Sequence, residues 1–124
     1  LRCAPTCTAT GVLSSRAVAV TGSDVYSATT DTIATCTDAT CATAAHVADV
    51  LNLVMLAADG DDLYWTSDDV GNDGTLVTCK ASACKGTMHA HAVHLGKAWG
   101  VAVDGANVYI GTNQAMGTVY AIPR

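Results

Sequence analysis

Val101-Ala102-Val103-Asp104-Gly105-Ala106-Asn107-Val108-Tyr109 is one of three copies of a nine-residue stretch that decides how this chain folds. The others are Val18-Ala19-Val20-Thr21-Gly22-Ser23-Asp24-Val25-Tyr26 and Leu56-Ala57-Ala58-Asp59-Gly60-Asp61-Asp62-Leu63-Tyr64. In each, apolar side chains recur with period two until Asp-Gly or Thr-Gly and a polar residue interrupt them. An apolar residue and Tyr then resume the pattern. Alternation, a Gly-containing break and renewed alternation are the signal of a β-hairpin.

The parallel continues downstream. Thr32-Ile33-Ala34-Thr35-Cys36 matches Thr75-Leu76-Val77-Thr78-Cys79, and both resemble Thr118-Val119-Tyr120-Ala121-Ile122, so a third strand follows each hairpin. The segments Thr43-Ala44-Ala45-His46-Val47 and Thr87-Met88-His89-Ala90-His91-Ala92-Val93 are long enough for a fourth. Four short strands in a unit of about 43 residues is the arithmetic of a β-propeller blade. The expected organisation is the end of one blade over 1–15, blades over 16–52 and 53–97, and a partial blade over 98–124. A parallel β-helix or a sandwich is the structural rival.

Composition agrees with an all-β fold. Of 124 residues, Ala, Thr, Val and Gly account for 22, 17, 14 and 11, and all eleven acidic residues are Asp. Thr and Val lose side-chain freedom in helices and pack well on pleated surfaces. The net charge of −5, with six scattered cations, argues against a nucleic-acid partner. No apolar run approaches the roughly 18 residues of a membrane span.

Six Cys fall in three close pairs: Cys3 with Cys7, Cys36 with Cys41, and Cys79 with Cys84. An even count in a small chain of modest apolar content suits local disulfides formed in an oxidising compartment, extracellular, cell-surface or periplasmic. Thiolate ligation of a metal is the alternative, and it would require separate hairpins to converge.

The unit Gly100-Val101-Ala102-Val103-Asp104-Gly105-Ala106-Asn107-Val108-Tyr109 resembles the blade repeat of secreted bacterial β-propellers, the broad NHL-type and YncE-like group. Gly74-Thr75-Leu76 and Gly117-Thr118-Val119 fit the start of that group's next strand, and Leu63-Tyr64-Trp65 fits its blade ending, where Ser27 and Ile110 replace the Trp. The resemblance implies a propeller and says little about activity, because such folds serve as binding surfaces, scaffolds and a few enzymes. Three blades do not close a ring. A partner is therefore expected, either a second copy of the chain or further propeller segments.

Candidate sites are few. Asp68, Asp69, Asn72 and Asp73 lie in the long connection after Trp65 and could offer oxygen ligands to calcium, although Asp, Asn and Gly are also what a solvated turn uses. On a strand, His89 and His91 would share a face about 7 Å apart and could reach one zinc or copper ion. His46 occupies the position equivalent to His89, which suits a surface residue of the outer strand better than a unique ligand. No resident cofactor is expected beyond these two ion readings. Trp65 and Trp99, the only Trp residues, could stack on a sugar face, with the Asp loop taking hydroxyl hydrogen bonds. The plainer reading is packing between blades.

No nucleophile elbow, phosphate loop or pair of contrasting carboxylates is present. The sequence thus points to a non-catalytic extracellular binding or assembly module that presents a surface to glycan or protein. A structural subunit of an extended assembly and a fragment of a larger propeller enzyme are the alternatives.

Overall fold

A computed structural model of the chain describes residues 15–38, 41–68 and 73–124. These form three antiparallel sheets in chain order. The first is β1 (Ala17–Thr21), β2 (Asp24–Ala28), β3 (Thr32–Cys36) and β4 (Ala44–Asp49). The second is β5 (Leu53–Asp59), β6 (Asp62–Ser67), β7 (Thr75–Lys80) and β8 (His89–Ala92), and the third is β9 (Ala98–Val103), β10 (Asn107–Thr112) and β11 (Val119–Pro123). Within each sheet every strand pairs with its neighbour in sequence. The all-β expectation holds.

The repeated stretches are the β1–β2, β5–β6 and β9–β10 hairpins. Thr21 faces Asp24 across Gly22-Ser23, and Asp59 faces Asp62 across Gly60-Asp61. Gly22 and Gly60 adopt φ of 56° and 59°, the left-handed conformation that such two-residue turns require. The third hairpin is built differently. Asp104 Oδ1 accepts hydrogen bonds from the backbone N–H groups of Ala106 and Asn107, both at 2.8 Å, so a side chain closes the turn.

Successive sheets stack with a constant polarity. One face of the first sheet, comprising Ala17, Ala28, Ile33 and Ala48 with Ala19 and Tyr26, packs on Leu56, Trp65, Val77, Ala58 and Leu63 of the second. The opposite face of the second sheet carries Tyr64, Leu76 and Ala92 and packs on Val101, Val103, Val108, Ile110 and Ile122 of the third. Repeat-equivalent residues stand at equivalent places: Tyr26 and Tyr64 both face the sheet that follows, and Leu63 and Val108 both face the sheet that precedes. The first strands run alongside one another, β1 against β5 and β5 against β9.

The two ends of the stack differ in chemistry. The tight turns lie at one end, together with both described disulfides, Cys36–Cys41 and Cys79–Cys84. The expected pairing of these four Cys is therefore present, whereas Cys3 and Cys7 lie outside the described residues. The second disulfide is not carried by a simple hairpin turn. Cys84 is reached through a 3-10 turn (Ala81–Ala83) and opens the one-turn helix α1 (Cys84–Thr87). Asp61 braces this segment by accepting hydrogen bonds from the Ser82 N–H and hydroxyl at 2.9 and 2.6 Å. Ser67 and Thr75, which face each other on β6 and β7, lie at the opposite end with the connections Val93 to Lys97 and Asn113 to Thr118.

Candidate functional site

Of the two readings of the Trp residues, Trp65 takes the plainer one and packs between sheets. Trp65 is 1% exposed and lies in the core between the first and second sheets, on the face shared with Leu56 and Val77. Burial removes its ring from any surface platform. Trp99 is 51% exposed and is the extra residue of a β9 bulge, since Gly111 pairs with Gly100 and Thr112 with Ala98. Its carbonyl accepts a hydrogen bond from the Thr66 hydroxyl at 3.1 Å, which fixes β9 on the second sheet. The second sheet thus stands between the two indoles.

The acidic connection is represented by its ends. Asp68 is exposed, and its N–H donates to the Asn52 carbonyl at 3.1 Å. Asp73 pairs with His94, Oδ2 to Nδ1 at 2.7 Å. Asp69 and Asn72 lie outside the described residues. His89 and His91 do share a strand, with ring centroids 6.3 Å apart. Each already has a backbone partner: His89 Nδ1 is 2.9 Å from the Thr87 carbonyl, and His91 Nε2 is 2.7 Å from that of Pro123. Among the described residues no group of three or more His, Cys, Asp or Glu is placed to hold a metal ion. The equivalent His46 makes a local pair with Asp49 at 2.9 Å on the exposed outer strand β4.

A feature without a sequence signal lies between the outer strands of the first two sheets. Three adjoining cavities of about 310, 470 and 480 Å³ form a groove between β4 and the β7–α1 side of the second sheet. Val50, Leu51, Val77 and Met88 line its apolar part, whereas Asp49, His46 and Lys85 supply polar groups. The walls of the groove come from two different sheets, a tertiary juxtaposition that no single strand encodes.

Among the described residues, both end faces of the stack carry exposed apolar side chains. On the first sheet, Val18 and Val20 are each 57% exposed, and Val25, Ser27 and Ala34 share their face. On the third sheet the outer face comprises Gly100, Ala102, Tyr109, Gly111, Val119 and Ala121, of which Val119 is 72% exposed. Tyr26 and Tyr64 are buried by the sheet that follows each of them, and Tyr109, with no sheet beyond it among the described residues, is only partly covered. Its hydroxyl donates to Asp104 Oδ2 at 2.8 Å.

Charge is concentrated at the turn end. The Arg124 guanidinium joins the Tyr64 hydroxyl, the Asp59 and Asp62 carboxylates and the Asp104 carbonyl. Hydrogen bonds from the Ala106 and Asn107 N–H groups and from the Tyr109 hydroxyl, with Arg124 nearby, hold the Asp104 carboxyl below the usual aspartate value. The two Ser82 donors do the same for Asp61, and Asp62 raises Lys80.

Comparison of the chain with protein-family models, curated proteins and solved structures finds no match to any of them. Among the described residues no helix is long and apolar enough to cross a membrane.

Proposed function

We propose that the chain is a non-catalytic extracellular binding or assembly module built from β-propeller-type units. The open end faces carry this reading. A sheet needs cover on its apolar face, and exposed contiguous apolar surface marks an interaction site. Here Val18, Val20, Val119 and the partly covered Tyr109 stand on such faces. The propeller component is supported by four-stranded meanders of one polarity, with their first strands side by side. The extracellular component is supported by the two local disulfides.

The test is binding of the apolar dye anilinonaphthalene sulfonate to dilute, unreduced protein. Fluorescence enhancement that falls when Val18 and Val119 are both replaced by Lys supports open binding faces. Dye binding that is absent, or indifferent to both substitutions, overturns the reading.

A second reading is favoured by the groove between β4 and α1, whose apolar floor and polar rim suit a small ligand such as a glycan or short peptide. Glycan-array binding lost in Met88→Ala but kept in Trp99→Ala would place the ligand there. Loss in Trp99→Ala alone would move it to the exposed indole.

A further inference from the structure

We infer that the occupant of each end face is a second copy of this chain, docked head to tail. The inference rests on the open-face reading above and adds the partner and its orientation.

The argument is one of continuity. Inside the chain the same junction is made twice. Each time, the face bearing the repeat Tyr receives the face of the next sheet that bears the hairpin Leu or Val residues. At the first junction Tyr26, Ile33 and small Ala residues meet Leu56, Leu63 and Trp65. At the second, Tyr64 and Leu76 meet Val101, Val108 and Ile110. The two open faces are the unused halves of this same junction. The third sheet ends on a Tyr face, where Tyr109 and Val119 take the places of Tyr64 and Leu76. The first sheet begins on the complementary face, where Val18 and Val25 take the places of Leu56 and Leu63. A chain carrying both halves is complementary to itself in a heterologous sense: the third sheet of one copy fits the first sheet of the next. An isologous dimer would instead set two Tyr faces or two Val faces together, a junction the chain nowhere makes.

The residues to change are exposed, so substitution leaves the internal cores alone. Val18→Lys charges one half of the junction and Val119→Asp the other. Sedimentation velocity of unreduced full-length protein up to about 100 μM should give a wild-type species of at least twice the 12.6 kDa protomer mass. Each variant alone should weaken association on the order of a hundredfold, because an unpaired charge then enters an apolar contact. Circular dichroism should match wild type in both. An equimolar mixture should recover association, since one of its two kinds of junction is untouched and the other sets Lys against Asp.

A wild-type monomer throughout this range overturns the inference, and dye binding by that monomer would leave the open-face reading standing. Association abolished by one variant and unaffected by the other also overturns it, because that pattern belongs to an isologous contact.

Discussion

Arg124 donates from Nε to the Tyr64 hydroxyl at 3.0 Å, while its guanidinium carbon lies 5.6 Å from the centre of the same ring. Tyr64 belongs to β6, in the middle of the second sheet, and Arg124 follows β11, the last strand of the third. The contact fastens the two sheets at their turn end, where Asp59, Asp62 and the Asp104 carbonyl share the same guanidinium.

Arg124→Ala is expected to lower the unfolding free energy by about 1 kcal/mol, the scale of a partly exposed but forked ion pair. The side chain is 20% exposed, which places it between a surface pair and a buried one. Arg124→Lys should recover only part of the loss, because an ammonium cannot serve the Tyr and both carboxylates in one plane. Urea midpoints of the three proteins check this.

The two disulfides should separate by their burial. Each closes a five-residue separation, for which the loop-entropy argument gives about 2 kcal/mol. Cys79 and Cys84 are buried in the core, whereas Cys36 and Cys41 are partly accessible. Graded reduction followed by alkylation and mass spectrometry should therefore label Cys36 and Cys41 first. Ser substitutions at Cys79 and Cys84 should destabilise more than those at Cys36 and Cys41.

Acid should loosen the turn end. The Asp104 and Asp61 carboxyls titrate below their ordinary value of 3.8 in the folded chain. A depressed folded pKa contributes stability that is present above the unfolded value and lost as pH falls through the folded one. The urea midpoint should be insensitive to this effect above about pH 5 and decline below about pH 4. Asp104→Asn keeps the Oδ1 acceptor for the turn and removes the charge. Its deficit relative to wild type should be largest at neutral pH and shrink as pH drops; a deficit that grows in acid would contradict the assignment.

The two indoles should behave as opposites. Trp65→Ala is expected to cost about 3–5 kcal/mol through lost burial and a cavity. Trp99→Ala should stay within about 0.5 kcal/mol, as an exposed substitution away from the core. Iodide quenching of Trp65→Phe, which leaves Trp99, should be strong. In Trp99→Phe it should be weak.

The hairpins, the third strands and the local Cys pairs were legible because each is written in contiguous sequence: alternation, a Gly-bearing break, and two Cys five positions apart. Which neighbouring sheet Trp65 packs against was not. Strand β6 is buried along Leu63-Tyr64-Trp65-Thr66-Ser67, since the middle sheet of a stack covers both of its faces. Alternation therefore carries no sign of which side meets which neighbour. β1, at the end of the stack, keeps the contrast of buried Ala17 and Ala19 against exposed Val18 and Val20. The groove beside β4 and the Arg124 cluster were illegible for another reason: their members come together only through sheet stacking, with Arg124 and Tyr64 sixty positions apart.

The placement of the tight turns and both described disulfides at one end of the sheets sets where this scaffold can be rewritten. The Asn113–Thr118 connection contains no cysteine and lies away from those cross-links. Peptides spliced there would face solvent without disturbing covalent closure, so the far end suits grafting and randomised libraries, whereas insertions among the turns would strain the staples.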